Sequence, residues 1–312
     1  MQMPERGGAD MILSYTVKEK DRGRDILSIL RYEMQISAAL VRRLKAASAI
    51  AASGVPVFTN YIVSPGETVT ADINAAEPPC DNIPECGALD ILFENEGLLA
   101  VNKPSGVIVH PSRARNSRTL SNFAAGYLQQ AGVNPSCHAV NRLDRDTTGV
   151  VVFAKNSHMK ARAAAALLDA STVKEYAALV HGIMPEFGVI DAPIRRAEEG
   201  NMLRAVLPSG QRAVTHYETV DTFNVNGVDI SLVRLRLETG RTHQIRVHCR
   251  HIGHPVLGDR LYGTDSSRKV SDALNISSQA LHANRLVFKE PLSGEMLELT
   301  APYPEVFLTI AA

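Results

Sequence analysis

Residues 138–154 read HAVNRLDRDTTGVVVFA. The stretch Val150–Ala154 is uninterruptedly apolar, the texture of a buried strand. Before it comes a turn crowded with Asn141, Arg142, Asp144, Arg145, Asp146, Thr147, Thr148 and Gly149. A loop tied to a rigid strand is a common place to hold catalytic groups. A carboxylate flanked there by arginines is favoured in its ionised form, and an oriented carboxylate can act as nucleophile or base. A structural Asx turn or a surface salt bridge accounts for the same residues equally well.

Outward from this loop, the chain beyond Leu89 is strand-rich: ILFE, LLAVN, VIVH, GVVVFAK, YAALVHG, VDISLVRLRLETG, RLVF and MLELT. The clearest helical runs are Thr119–Gln130 and the Ala-rich Ser157–Asp169. Many strands with few helices predict an α+β domain, residues 89–312, built on a mainly antiparallel mixed sheet with peripheral helices. Residues 13–75 read as a separate small α+β unit. Arg24–Leu30 is apolar at helical spacing, Ser37 can cap a second helix, and Val55–Phe58 and Thr68–Ile73 are β-prone. Residues 76–88, rich in proline and acid, read as a linker. A length of 312 residues suits two domains.

With 45% hydrophobic and 21% charged residues the chain has a globular composition, which argues against gross disorder. Lys+Arg and Asp+Glu are 33 each, which excludes a uniformly basic coat. The distribution is uneven, however. No carboxylate lies between Glu96 and Asp144, where Lys103, Arg113, Arg115, Arg118 and Arg142 fall. None lies between Glu238 and Asp259, where Arg241, Arg246 and Arg250 accompany four histidines. Two acid-free segments converging on one face would make an anion-binding groove, and two solvated loops are the plainer alternative. No apolar run approaches the roughly 18–20 residues of a membrane helix. MQMPERGGADM lacks the apolar core of a signal peptide, so a cytoplasmic protein is expected. Cys137 and Cys249 read as inert buried thiols, and the Cys80–Cys86 spacing matches no common zinc motif. The histidines His243, His248, His251 and His254 invite a zinc reading, but three arginines among them would repel a cation. No metal is expected.

NKPSG, NRLDRDTTG, KEYAALVHG, LETGRTHQIRVH, HPVLGDRLYG and the late Leu281-His282-Ala283, in this order, resemble the RluA-type pseudouridine synthase family over roughly residues 89–303. Asn141 departs from the histidine often found at its position. The N-terminal unit resembles the RNA-binding domain of ribosomal small-subunit protein four. Arg42, Arg43 and Lys45 are its candidate basic face, and Val57 and Phe58 stand where basic residues are expected.

The resemblance implies isomerisation of a uridine in RNA to pseudouridine, without cofactor, metal or ATP. Asp144 would be the catalytic carboxylate, attacking sugar or base or removing a sugar proton. Arg246 would pair with it. Tyr176 would stack on the uracil and help remove the C5 proton, directly or in a relay. Arg142 would fill the space that the flipped base vacates. Lys103, Arg241 and His243 would contact RNA, the first two as phosphate or fold-supporting contacts. The expected partner is ribosomal RNA, or else transfer RNA, acted on by a monomer. Two rivals belong to other classes. One is a non-catalytic RNA-binding adaptor, favoured if Asp144 lies far from Arg246 and Tyr176. The other is an Asp/His hydrolase using His243 or His248.

Overall fold

The computed structural model describes residues 11–78, 82–111, 116–198, 202–225 and 227–311. The N-terminal unit comprises β1 (Ile12–Thr16), α1 (Ile26–Ser28), α2 (Ala38–Ala46), β2 (Ile50–Ala52), β3 (Val55–Pro56) and β4 (Thr68–Asp72). The helix α2 begins where the Ser37 hydroxyl accepts the Leu40 N–H at 3.2 Å, and it buries Leu40, Val41 and Leu44. Four strands pair in the order β1-β4-β2-β3.

The remainder carries β5 (Asp90–Glu94), β6 (Leu98–Lys103), α3 (Leu120–Gln130), β7 (His138–Ala139), β8 (Thr148–Ala154) and α4 (Ser157–Ala166). Next come β9 (Val173–His181), β10 (Phe187–Asp191), the small hairpin β11 (Ile194–Arg196) and β12 (Arg204–Val206), β13 (Val214–Val225) and β14 (Val228–Leu237). The chain ends with α5 (Gln244–His251), α6 (Asp265–Ala273), β15 (Leu281–Lys289), β16 (Met296–Thr300) and α7 (Glu305–Ala311). The large sheet runs β10-β13-β14-β9-β15-β8-β6-β5, with β16 on β15 and β7 on β8. Its pairs are antiparallel except β15 with β8, so the sheet is mixed and mainly antiparallel.

The apolar run in β8 has a physical cause. Val150, Val152 and Ala154 face one buried cluster, whereas Val151 and Phe153 face another that includes Leu120, Ala124, Ala125 and Leu128 of α3. Both faces of the strand are covered, so alternation disappears.

The first of these clusters runs on into the N-terminal unit, joining Ile26, Leu30, Leu44 and Val69 to Leu98, Val152 and Phe288. The two units therefore share a continuous core. Across the same seam Arg43 Nη2 donates to Ser157 Oγ at 2.6 Å. Within segment 76–88, read as a linker, Glu77 is fastened to the larger unit. The carboxylate of Glu77 accepts Ser157 N–H at 3.0 Å, the Ser157 and Ser136 hydroxyls at 2.8 and 2.9 Å, and lies 2.9 Å from His138 Nε2. Burial opposes its charge, but these hydrogen bonds prevail and lower its pKa to about 2. Asn122 further holds the Ile83 carbonyl at 2.8 Å. Cys80 lies outside the described residues.

VIVH, expected as a strand, is not one. The Ile108 and Val109 carbonyls instead accept the Leu120 and Ser121 N–H groups at 2.9 and 3.0 Å, at the start of α3. Their hydrogen bonds go to a helix end that would otherwise be unsatisfied.

Candidate active site

The loop between β7 and β8 is held from inside. Asn141 Nδ2 donates to Val150 O at 3.0 Å while its Oδ1 accepts Val152 N–H at 2.8 Å. The amide thus acts as a strand partner to β8. At the loop's far end Gln279 donates to Thr147 Oγ1 at 2.5 Å, and Thr148 Oγ1 lies 2.7 Å from His282 Nδ1. Gly149 has φ 111°, and a Cβ there would sit 2.2 Å from the Ala283 carbonyl oxygen, so only glycine allows β8 and β15 to come together.

Lys103 supplies a third restraint. Its ammonium donates to the Arg145, Val107 and Pro104 carbonyls at 2.6, 2.7 and 2.9 Å. The side chain is fully buried, and burial lowers its pKa to about 8. A phosphate cannot reach it, so the phosphate contact is corrected: Lys103 supports the fold under the loop.

Asp144, half-buried at the loop's apex, accepts Arg246 Nη1 at 2.8 Å. Arg246 projects from the first turn of α5. Its Nε and Nη2 make a fork on Asp259 at 2.7 and 2.9 Å. Asp259 is buried and also accepts the Leu261 and Tyr262 N–H groups at 2.9 and 3.0 Å. The Arg246 guanidinium lies 5.0 Å over the Tyr262 ring. Burial works against this cation, but the bonds to Asp259 and Asp144 outweigh it and raise its pKa. One planar group is thereby locked between a buried carboxylate and the carboxylate of the cleft.

His243 starts α5 with left-handed backbone, φ 59°. Its Nδ1 is 2.7 Å from Tyr262 Oη and its Nε2 is 3.8 Å from Asp144 Oδ2. Burial lowers its pKa, the Asp144 charge opposing. The helix begins only at Gln244, so Thr242 lies before it and Arg246 within its first turn. Gln244 closes this turn, accepting Arg241 N–H at 3.0 Å and donating to Val214 O at 2.9 Å.

Tyr176, near the start of β9, forms one wall of the cleft with Leu237, Ile245 and Leu281. Its phenol is pushed up to about 12, first by burial and then by the Asp144 charge. Arg142 and Arg241 line the opening, both exposed. Arg241 Nε also donates to Arg212 O at 3.0 Å.

Other candidates lie elsewhere. Arg42 and Lys45 are exposed on α2. Arg43, expected on the same basic face, is turned inward on Ser157, because its position on α2 faces the seam. Arg113 and Arg115 lie outside the described residues. His248 is used structurally, with Nδ1 2.9 Å from Thr215 Oγ1 and Nε2 2.9 Å from Ala192 O. Among the described residues no cluster of three His, Cys, Asp or Glu could hold a metal ion. Asp259 and Tyr262 are not among the candidates legible in the sequence. The signal was available: Asp259 is the first acid after the acid-free segment and stands in an apolar, glycine-containing setting.

The chain as a whole is similar to known proteins. Residues 97–251 match the family model described as RNA pseudouridylate synthase. The uncharacterized RNA pseudouridine synthase YhcT of Bacillus subtilis is 37% identical over 299 residues, 94% of each chain. The chain belongs to the RluA-type RNA pseudouridine synthase family. Ribosomal large subunit pseudouridine synthase D of Haemophilus ducreyi is 38% identical over 236 residues, 73% of this chain and 70% of that one. The solved structure of human RNA pseudouridylate synthase domain containing 1 superposes with a TM-score of 0.58 at 28% identity, covering 70% of this chain and 86% of that chain. As an RNA pseudouridine synthase the protein is an isomerase acting on uridines in RNA, and the hydrolase and adaptor readings lapse. The matched span contains Asp144, Tyr176 and Arg246 and stops short of Asp259.

Proposed function

We propose that this synthase isomerises a uridine of large-subunit ribosomal RNA, with Asp144 as its catalytic carboxylate. The observation carrying the assignment of Asp144 is its bond to Arg246, itself fixed by Asp259. A carboxylate whose position is set by a buried fork is pre-organised to meet a sugar or base carbon. In the reaction the C1′–N1 bond breaks, a C1′–C5 bond forms, C5 loses a proton and N1 gains one. Atoms and electrons balance without any co-reactant. Asp144 can serve this chemistry by attacking the sugar, attacking the base or removing a sugar proton.

Tyr176 supplies a flat wall for the uracil ring. With its phenol at about 12 it keeps its proton near neutrality, so it acts on C5 as part of a relay rather than as a standing base. His243, beside both Asp144 and Tyr262, is placed to join that relay. Arg142, exposed at the rim, is free to occupy the space left by the flipped base.

The ribosomal assignment draws on the relatives named for large-subunit modification, such as that of Haemophilus ducreyi. The N-terminal unit would add RNA affinity through Arg42 and Lys45, and the protein would act as a cytoplasmic monomer. Pseudouridine mapping of RNA from cells with and without the gene tests the target. Loss of one site in large-subunit RNA supports the reading, and loss confined to transfer RNA replaces it.

A further inference from the structure

The hairpin of β11 and β12 gathers arginines that make no ion pair among the described residues. Arg196 and Arg204 are direct cross-strand partners, a like-charge pairing that disfavours the hairpin by itself. They line a pocket of about 320 Å³ together with Arg195 and Arg241. None of the four makes an ion pair with a carboxylate among the described residues. Elsewhere most arginines do: Arg212 pairs with Glu238, Arg234 with Glu218, Arg260 with Asp272 and Arg285 with Glu298. Arg195 is held by Ser209 Oγ at 2.8 Å and Arg241 by the Arg212 carbonyl, contacts that orient a guanidinium without discharging it.

The pocket is in register with the reaction centre. Arg204 N–H donates to Tyr262 Oη at 3.0 Å, and the same oxygen lies 2.7 Å from His243 Nδ1. The positive charge of Arg204 reaches far enough to help lower the His243 pKa, behind burial and Arg246. Arg241 lines this pocket and the catalytic cleft alike.

We propose that Arg196 and Arg204, with Arg241 at the shared edge, clamp a backbone phosphate of the RNA next to the nucleotide being isomerised. A phosphodiester relieves the repulsion of the arginine pair, and the planar guanidinium offers forked donors to its oxygens. Four of the eight residues that line the pocket are arginines, so an anionic group is the ligand its chemistry favours. Because the hairpin hangs from Tyr262, the clamp fixes the strand at a set distance from Asp144. The proposal rests on the RNA isomerase reading and adds a third basic segment to the two visible in sequence.

The test is the double substitution Arg196→Gln/Arg204→Gln beside Arg234→Gln/Arg285→Gln, an equal charge change at carboxylate-paired arginines. Affinity for a fluorescein-labelled oligouridylate is measured across a salt series. KM and kcat are measured on an unmodified large-subunit ribosomal RNA transcript. The clamp predicts that the logarithmic salt slope falls by about 0.7, one phosphate's share on a single strand. It predicts a KM rise of about tenfold with kcat reduced less than about threefold, and an unfolding temperature unchanged or raised as repulsion is removed. The control pair should leave the slope unaltered. An unaltered slope for the hairpin pair, or a collapse of kcat at constant KM, overturns the clamp. If the double variant does not fold, Arg196→Gln alone, at an exposed side chain, is read by the same slope. A transcript left unmodified by the unaltered protein would end the ribosomal reading, while the slope on oligouridylate would still decide the clamp.

Discussion

Replacing Arg246 by lysine keeps the charge and removes the fork. Arg246 makes three charge-assisted hydrogen bonds, at 2.7 and 2.9 Å to Asp259 and at 2.8 Å to Asp144. A lysine ammonium on the same backbone reaches one of these carboxylates, so about two bonds are lost. At about 1.5–3 kcal/mol for each bond to a charged group, the loss is about 3–6 kcal/mol before water recovers some of it. A net loss of about 3 kcal/mol in stability is expected, because Asp259 is buried and keeps only its two backbone donors in full. If about 1.5–3 kcal/mol of the lost positioning falls on the isomerisation barrier, the rate drops about 10- to 150-fold. Single-turnover kinetics at saturating RNA reads this directly, with circular dichroism checking that the variant is folded. Arg250→Ala, four positions on and exposed, should instead leave the saturated rate near normal and weaken binding in a salt-dependent way. A folded Arg246→Lys enzyme within about threefold of the unaltered rate would refute the idea that the fork positions Asp144.

Glu77→Gln should cost up to about 3.4 kcal/mol at neutral pH, since the carboxylate's pKa is lowered from 4.5 to about 2 on folding. A lowered pKa stabilises fully above 4.5, and that contribution fades as pH falls towards 2, so urea midpoints of variant and parent should converge in acid. Lys103→Met should destabilise by about 3 kcal/mol, leaving three carbonyls without their donor, yet should not change the salt slope of RNA binding. Denaturant unfolding and a salt titration check the two halves of that statement. Removing residues 1–86 should yield an aggregating or markedly less stable chain rather than an autonomous catalytic domain. Size-exclusion chromatography and thermal unfolding test this, and a well-folded truncated enzyme would contradict the shared core.

The strands of the large sheet were legible wherever both faces are buried or one face alternates strongly, as in β6, β8, β9 and β14. VTHYETVDTFNV of β13 was missed because its side chains are mostly polar and its place is set by pairing along β14. VIVH looked like a strand because composition cannot show that its carbonyls serve the start of α3. Sequence separated the two units at the proline-rich segment 76–88, but the apolar contact that joins them is between residues far apart in the chain. In the site, Asp144, Tyr176 and Arg246 stood in motifs, and the structure brings them to one cleft. For Lys103 the sequence left phosphate and fold-supporting contacts open, and Arg43 was placed on the basic face, for a common reason: a basic residue looks the same in sequence whether it faces a phosphate or a buried oxygen. The arginine pair of the β11–β12 hairpin was invisible because Arg196 and Arg204 become neighbours only when the hairpin forms.

If Asp144 performs the chemistry on the RNA uridine, removing its charge should silence the enzyme. The direct measurement is pseudouridine formation by purified Asp144→Asn protein on unmodified large-subunit ribosomal RNA, beside the unaltered protein and with RNA affinity measured in parallel. The substitution is nearly isosteric and keeps one oxygen to accept from Arg246, so folding and affinity should persist while isomerisation falls below detection. A variant retaining more than about a tenth of the activity, a barrier change under about 1.4 kcal/mol, would contradict the claim.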